Sequence, residues 1–281
     1  QAAPESYGAG STGAFSVSCT GPGDGGLPNT NADNRLFFKA GAICNTSVNT
    51  LSAVAGTTTS SSFSQGNVST FGQAQTGDKV IKLQATMSSD QQTGVRFPAG
   101  FAEAGWTDTL TVNSPGNQGQ GAIVNVILNI SGMLSASGPN AFSRLQTYVA
   151  VDGGTAHQPQ YQVQAGVNTS PTTINETLIL PLGFTIGTAG DFIVKLQAIA
   201  MTSSQTSLGN NAATADFWNT ITWGGIHSIT FNNGDPLLNA SLFSATGIDW
   251  SQAAAVVPLP APILLLAAGC AALLRRKMAA A

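Results

Sequence analysis

Two carboxylates beside a tryptophan come nearest, in residue type and spacing, to a catalytic group. Glu103 and Asp108 flank Trp106, and a glycoside hydrolase uses two carboxyl groups as its acid and its nucleophile. Acidic residues are scarce in this chain, which draws attention to the pair, but no second feature of the sequence supports it. A solvated turn explains both residues more simply. We therefore predict no catalytic role for them.

The two histidines of the chain do not strengthen the case for catalysis. Neither His157 nor His227 has a metal-ligand spacing to another histidine, a cysteine or paired carboxylates. His157 follows a Gly-Gly pair in a loop, and His227 alternates within an apolar strand pattern, where a surface or packed histidine is expected. The sequence contains no Gly-x-Ser-x-Gly elbow and no phosphate-binding loop. We predict a protein that is not an enzyme and has no cofactor.

The N-terminal stretch of residues 1–32 and the residue that follows it carry oxygen-bearing side chains but lack the pattern of a calcium site. Their spacing differs from that of the Asp-rich loop with a terminal glutamate. The stretch is rich in Gly, Ser, Pro and Asn, and residues 21–26 read Gly-Pro-Gly-Asp-Gly-Gly, which is typical of turns. We predict a solvated loop or arm without a metal. The oxygen-bearing residues in question are Asp24, Asn29, Asn31 and Asp33.

Two of the three cysteines are candidates for a disulfide. Cys270 lies within an apolar run, which leaves Cys19 and Cys44 as a pair that would close a loop of intermediate length. Such a bond would contribute about 3 kcal/mol on the chain-entropy model, and an oxidising, exported location would permit it. Two free thiols are the alternative that the sequence leaves open.

The C-terminal segment has the layout of a membrane span. Residues 253–274 contain no charged residue, and 263–274 form a compact apolar block directly before Arg275, Arg276 and Lys277. This length reaches the roughly 20 residues that a helix needs to cross a bilayer. A buried core helix is the competing interpretation, but flanking prolines and a basic cluster at the end are typical of a membrane span. Because a basic cluster stays cytoplasmic, we expect the preceding chain to lie outside.

The tail combines a proline motif, an apolar helix and a basic end. The motif residues are Val257, Pro258, Leu259, Pro260 and Ala261, and the basic end is Arg275, Arg276 and Lys277. In this order the three parts resemble the VPLPA-type variant of the PEP-CTERM sorting signals. Proteins with such signals are processed by exosortases, membrane enzymes that cut near the proline motif. The commoner form has glutamate between the prolines, where this chain has leucine, and the Leu-Pro-x-Thr-Gly motif of sortase substrates is absent.

The resemblance implies an exported protein of a bacterium that makes exopolysaccharide. It would be anchored in the inner membrane by its C-terminal helix and then reach the cell surface or the extracellular matrix, with an exosortase as processing partner and exopolysaccharide as a further partner. The first five residues show no signal peptide, so we expect a processed or truncated start. Residues 215–220, 223–225 and 247–251 also resemble the closing strands of such surface proteins.

Composition describes an uncharged surface. Charged residues make up 8% of the 281 residues, against about 25% in ordinary soluble domains, and Ser, Thr, Asn, Gln and Gly fill the polar positions. Without the three basic residues of the tail, seven basic residues face thirteen acidic ones, a net charge of −6. Nucleic-acid binding is therefore not expected, because it requires lysines and arginines against phosphates.

Between residues 35 and 250 the hydrophobic pattern has period two, which predicts strands with one apolar face. We find no convincing helical period there. Many short strands separated by turn residues indicate an all-β fold, an antiparallel sandwich or jelly roll, followed by one C-terminal transmembrane helix. The predicted strands lie within residues 79–87, 108–112, 122–134, 145–151, 160–167, 173–180, 192–201 and 217–231.

The predicted layout is an N-terminal arm over residues 1–32, a β-sandwich over 33–252 and the sorting signal over 253–281. Residues 77–85 and 190–198 share Gly-Asp and Lys-Leu-Gln-Ala at the same offset. This echo indicates equivalent strands of two related halves, or coincidence in a β-rich chain of low complexity; the sequence leaves both open.

The function expected is that of a structural protein of the cell surface or biofilm matrix. A glycan-binding adhesin is the alternative, in which exposed aromatic rings stack on sugars, although the same tryptophans could instead fill the core. A polysaccharide-active enzyme is a third interpretation and would need a cleft with two carboxylates. The aromatic candidates are Trp106, Trp218 and Trp223.

Overall fold

The computed structural model describes residues 13–22, 43–45, 58–65, 67–77, 79–90, 98–152, 157–168, 170–202 and 209–255. These residues contain strands and turns but no helix, so the described part of the protein is all-β as predicted. The strands are β1 (Gly13–Pro22), β2 (Ile43–Asn45), β3 (Thr58–Gln65), β4 (Val68–Gly77), β5 (Val80–Asp90), β6 (Pro98–Asn113), β7 (Gly121–Ser137), β8 (Ala141–Val151), β9 (Gln160–Gln164), β10 (Thr172–Thr185), β11 (Ala189–Thr202), β12 (Asn210–Phe231) and β13 (Ser241–Ser244).

The described strands form two antiparallel sheets packed face to face. The first sheet has the order β2-β1-β6-β11-β8-β9, and β13 also pairs with β6. The second sheet has the order β10-β7-β12-β5-β4-β3. One hydrophobic cluster draws its residues from both sheets, so the layers share a single core, as in a β-sandwich.

Eight of these strands pair in a nested order. β8 pairs with β9, β7 with β10, β6 with β11 and β5 with β12. The chain therefore behaves as one long antiparallel hairpin whose successive strand pairs fall alternately in the first and the second sheet. Strands β1 and β4 extend the sheets next to β6 and β5.

The period-two pattern correctly predicts which residues enter the core. In β5 and β7 burial alternates from residue to residue, with the apolar side chains on the inner side. Six of the eight predicted strand segments lie within observed strands, whereas 79–87 begins one residue before β5 and 160–167 runs three residues past the end of β9. The buried residues predicted from alternation are Ile81, Leu83, Ala85, Met87, Leu110, Val112, Val124, Val126, Leu128 and Ile130.

The first sheet differs from the prediction that each strand has one apolar face and one solvent-exposed face. Its outer face, which we define as the face turned away from the second sheet, is also buried along β8 and along the adjoining parts of β6 and β11, and every residue of β8 is buried. Five apolar residues form a separate cluster there. The sheet is thus covered on both faces, a pattern better known from parallel sheets. The cluster is Ala99, Phe101, Phe142, Ile199 and Met201.

The two sheets approach most closely where β4 crosses β6. A Cβ atom on Gly72 would lie 2.0 Å from the carbonyl oxygen of Phe101, and one on Gly100 would lie 2.3 Å from that of Phe71. Side chains normally separate stacked sheets by about 10 Å. Only glycine fits at these two positions, which lets the backbones meet and narrows the sandwich at this end.

Two further observations bear on the predicted layout. β1 lies within residues 1–32, where composition indicated a loop or arm, and it pairs along its length with β6. The echo segments, 77–85 and 190–198, fall mainly on β5 and β11, which are inner strands of different sheets. Matching residues of the two segments face the core, for example Leu83 and Leu196, both fully buried.

Candidate functional site

The residues predicted to carry the sorting signal lie outside the described part of the chain. This holds for the proline motif (Val257, Pro258, Leu259, Pro260 and Ala261) and for the basic cluster (Arg275, Arg276 and Lys277). The predicted transmembrane helix shares this range. Within the described residues, none of the segments is a helix long and apolar enough to cross a membrane.

The segment directly before the motif is fixed on the sandwich, and we call residues 241–255 the C-terminal closure. It begins with β13, which pairs with the end of β6 through Ser244 and Leu110 among others. It ends in a backbone ladder, where Ala254 N donates to Trp223 O at 2.8 Å and Ile226 N donates to Ser251 O at 3.4 Å. The chain is thus held against both sheets before the Val-Pro-Leu-Pro-Ala residues begin.

A buried carboxylate is the anchor of this closure. Oδ2 of Asp108 accepts hydrogen bonds from Ser244 Oγ at 2.5 Å, Thr246 Oγ1 at 2.6 Å and Trp250 Nε1 at 2.6 Å. Oδ1 accepts two backbone bonds, from Thr109 N at 2.7 Å and Thr246 N at 3.2 Å. Hydrogen bonds to a charged acceptor are stronger than neutral ones. Asp108 therefore joins β6 to a segment more than 130 residues later in the chain.

Aromatic rings complete the closure. Trp250 packs edge-to-face against three rings, with centroid distances of 5.8 Å to Trp106, 5.5 Å to Phe192 and 5.3 Å to Trp223. Trp223 Nε1 also donates to Trp250 O at 2.7 Å. Each such aromatic pair stabilises the fold by more than the burial of its apolar surface alone. The likeness of residues 223–225 and 247–251 to closing strands thus falls on segments that the structure brings together.

A glycine bulge in β12 makes room for the closure. The register of β12 against β7 shifts between Trp223 and Gly225, and Gly225 has a φ of +88°, which favours glycine. A Cβ atom here would lie 2.8 Å from Ser251 O. The bulge bends the strand and lets the returning chain approach the backbone.

The tryptophans proposed for sugar stacking do not form an exposed platform. Trp106 and Trp223 are buried in the core at 2% and 1% exposure, so neither can reach a glycan. Trp218 is half-buried, and Lys82 Nζ lies 5.8 Å from its ring centroid. The alternative, that tryptophans fill the sandwich, is therefore correct for Trp106 and Trp223.

Glu103 and Asp108 do not form a catalytic pair. Five residues apart on the same strand, they point to opposite faces of the first sheet: Asp108 faces the closure, and Glu103 faces outward from the core. Both are buried rather than lying in the predicted solvated turn. They belong to two unrelated clusters.

The Glu103 cluster is a group of polar side chains on the outer face of the first sheet. Glu103, Gln197 and Gln146 occupy one row across β6, β11 and β8, and Gln197 Nε2 lies 3.4 Å from Glu103 Oε2. Lys195 Nζ lies 5.0 Å from the ring centroid of Tyr148. All five residues are buried.

Burial shifts the pKa values of the titratable groups in and beside this cluster. It lowers the pKa of Lys195, and the nearby Glu103 carboxylate raises it, a smaller effect. Burial also lowers the pKa of Arg144 and raises that of Tyr148. Charges taken out of water need a partner of opposite sign. The attraction of the Glu103 carboxylate therefore offsets only part of the cost of burying the Lys195 charge.

The histidines lie apart from each other. His157 forms a bridge to Val149, and its Nε2 lies 2.6 Å from Pro181 O, so it joins the β8–β9 connection to β10. His227 is exposed on β12. In the described ranges, no three His, Cys, Asp or Glu residues are grouped as a metal site. The oxygen-bearing residues considered for calcium lie outside those ranges.

The register places the two candidate cysteines opposite each other. Cys19 of β1 faces Cys44 of β2 in an antiparallel pair. Facing residues in such a pair have Cα atoms about 4.5 or 5.5 Å apart, and disulfides span about 4.4–6.8 Å. The backbone therefore supports the predicted disulfide.

We expect protein made in an oxidising compartment to have this bond. Alkylation of the unreduced, denatured protein should modify Cys270 alone, as read by mass spectrometry. Cys19→Ser or Cys44→Ser should lower the free energy of unfolding by about 3 kcal/mol, whereas Cys270→Ser serves as the unaffected control. Modification of all three thiols in the unreduced protein would contradict the prediction.

A shallow cleft of about 490 Å³ lies where the ends of β7, β8, β10 and β11 meet. Its volume is within the range of small-molecule sites. Its lining combines glycine backbone with polar side chains, and Asp152 accepts a hydrogen bond from Asp191 N at 2.7 Å. The polar lining residues are Asp152, Thr185, Thr188 and Asn232.

Comparisons with known proteins assign no family. No protein-family model matches the chain, and no curated protein matches it. Two solved structures, of the Gt and Gx strains of infectious bursal disease virus, share 12% and 10% identity over 80% and 87% of this chain, each with a TM-score of 0.14. The chain spans 65% and 60% of those viral chains. We draw nothing about fold or function from so low a similarity.

Proposed function

We propose that the protein is an exported structural component of the bacterial cell surface or extracellular matrix, processed at its C-terminus by an exosortase. The observation that carries the proposal is the tail, in which a Val-Pro-Leu-Pro-Ala motif, an uncharged span and Arg275, Arg276 and Lys277 follow in order. The span serves as an inner-membrane anchor until processing. The all-β, charge-poor domain is then the part delivered outside, where exopolysaccharide is its expected surrounding.

We further assign the sandwich to the jelly roll class. The nested pairing of β5 to β12 supports this, because the two sheets then contain the four-strand orders β5-β12-β7-β10 and β6-β11-β8-β9. A jelly roll consists of two such four-stranded sheets. Strands β1 to β4 and β13 are additions at its edges.

The closure supports a role in which the tail bears load. A protein held by its C-terminus transmits any pull through the residues before the motif. Trp250 lies seven residues before Val257 and is tied to Asp108 and Trp223 at 2.6 and 2.7 Å. A pull on the tail therefore meets buried hydrogen bonds before it reaches the central strands.

Mass spectrometry of the mature C-terminus tests the proposal. The full chain is expressed in an exosortase-containing bacterium and in a strain lacking that enzyme. We expect the surface protein of the first strain to lack residues 262–281 and that of the second to retain them. Pro260→Ala should block the cut, while Pro236→Ala, an exposed proline of the folded part, should leave it unchanged. Residues 262–281 in the surface product of the first strain would show a permanent anchor instead.

A glycan-binding adhesin is the second candidate, and the cleft beside Asp152 and Asn232 is the observation that favours it. Carboxylate, amide and hydroxyl groups converge there, and such groups bind sugar hydroxyls. Recognition would then rest on hydrogen bonds in the cleft, since Trp106 and Trp223 are buried.

A further inference from the structure

Among the described strands, β10 leaves a long sheet edge open. It has 14 residues, and β7 is its one partner within the part of the chain that the structure describes. The other strands at the ends of the described sheet orders are shorter: β3 has 8 residues, β9 has 5 and β2 has 3. Proteins usually keep edge strands short or charged, because an open edge is a template for another strand.

The alternation of the backbone identifies which groups point outward from this edge. Ile186 N donates to Gln120 O, on the β7 side, and the register of β10 against β7 runs without a shift. Even-numbered residues of β10 therefore bond to β7. Odd-numbered residues from Thr173 to Gly183 direct their N–H and C=O groups to the open edge.

The open stretch ends at Pro181. Proline has no N–H to donate, and the Pro181 carbonyl already lies 2.6 Å from His157 Nε2. Before it, Asn175, Thr177 and Ile179 are exposed, and 49% of Ile179 faces solvent. These three residues can each donate and accept one further backbone hydrogen bond.

We propose that this edge pairs with the same edge of a second copy of the chain, antiparallel and about a twofold axis at Thr177. Thr177 would then face its own equivalent, and Asn175 would face Ile179 of the second copy. Each of the three positions supplies one donor and one acceptor per chain, which makes six intermolecular hydrogen bonds. The two six-stranded second sheets join into one continuous sheet.

The edge itself favours a second copy over an unrelated partner. Pairing about Thr177 makes the stretch self-complementary, as a twofold interface requires. Glu176 then faces Leu178 of the other copy rather than a second Glu176. The ladder of intermolecular hydrogen bonds would also end at Pro181 of each copy, because proline has no backbone N–H to donate. A chain with 8% charged residues adds little repulsion between copies. The pairing does not depend on processing of the tail.

Replacement of Thr177 by proline tests the pairing. Residue 177 directs its N–H outward, so the change spares the ladder to β7, and proline is tolerated on such an edge. Sedimentation equilibrium of the full chain in a mild detergent should show a monomer–dimer equilibrium. Thr177→Pro should raise the dimer dissociation constant by at least about tenfold, since two central hydrogen bonds are lost.

Gly183→Pro is the matched control. Gly183 lies on the same edge beyond Pro181, and a side chain there meets nothing within 4 Å, so this variant should dimerise like the wild type. A second disruptive variant, Ile179→Lys, should weaken the dimer by placing like charges near the axis. A monomer at all concentrations, equal dimerisation of Thr177→Pro and wild type, or growth beyond a dimer would each overturn the proposal.

Discussion

Replacing Asp108 by alanine is expected to lower the free energy of unfolding by roughly 3–4 kcal/mol. The change removes the acceptor of five hydrogen bonds. It leaves the buried indole N–H of Trp250 and the half-buried donors of Ser244 and Thr246 without that acceptor. Each unsatisfied buried donor costs about 1–3 kcal/mol. The closure can detach and rehydrate these donors, which limits the total to the cost of losing the segment. Urea unfolding followed by circular dichroism measures the difference.

Detachment of the closure gives this variant a signature beyond its stability. The backbone bond from Ala254 N to Trp223 O should open, so hydrogen exchange at Ala254 should become much faster, while exchange in β5 and β7 changes little at low denaturant. Trp250 fluorescence should shift to longer wavelength as the ring meets water. Asp235→Ala, at an exposed aspartate, is the control and should change the stability by under about 0.5 kcal/mol. An unaltered exchange rate at Ala254 would contradict the anchoring role.

The sequence was sufficient to predict the strands that have one solvent-exposed face. For strands that are buried on both faces, it predicted the inner face but not the burial of the outer one. β7 alternates residue by residue, so Val124, Val126 and Leu128 could be assigned to the core directly. In β8 the outward Arg144 and Gln146 follow the same alternation and indicate a solvated face. They are buried instead. Burial of the outer face depends on tertiary contacts, which the local alternation of the sequence does not reveal.

The closure shows why clusters assembled from distant segments escape a local analysis. Asp108 was considered with its neighbour Glu103, although its partners lie 136–142 residues away. The available signal was weak: Trp223 and Trp250 both lie in segments that resemble closing strands. That likeness could have indicated a contact between the two rings. It could not identify the carboxylate that accepts the indole N–H.

The prediction of the Cys19–Cys44 pair depended less on contacts between distant segments. An exported location and a loop of intermediate length were enough to predict a bond between Cys19 and Cys44, and the register places them opposite each other. β1 itself was missed, because glycine and proline on either side of it outweighed the alternation of Phe15, Val17 and Cys19 with polar residues.

Lys195→Met should leave the free energy of unfolding at pH 7 unchanged or slightly raised, because burial of the ammonium group outweighs its attraction to Glu103. Glu103 is fully buried, and its carboxylate offsets only part of the cost of burying the lysine charge. A methionine of similar length fills the space, so packing contributes little to the difference. A loss of about 3–5 kcal/mol would instead show that the pairing with Glu103 outweighs the burial. Chemical denaturation at pH 7 measures the effect.

The double variant Lys195→Met with Glu103→Gln separates charge from packing. It should be at least as stable as Lys195→Met, because glutamine keeps the hydrogen-bonding row with Gln197 and neither residue then carries a charge. A packing defect at residue 195 would instead make both variants less stable than the wild type. Lys82→Met, at the matching and partly exposed position of the echo segment, is the control and should cost little.

The pH dependence of stability tests the same group independently. Burial lowers the pKa of Lys195 in the folded protein below its unfolded value of 10.5. Between these two values the unfolded chain binds more protons, so this residue makes stability rise with pH. As the pH rises towards 10.5 from below, wild type should therefore gain stability relative to Lys195→Met. A constant difference between them would show that Lys195 keeps an ordinary pKa, and that its partner fully compensates for its burial.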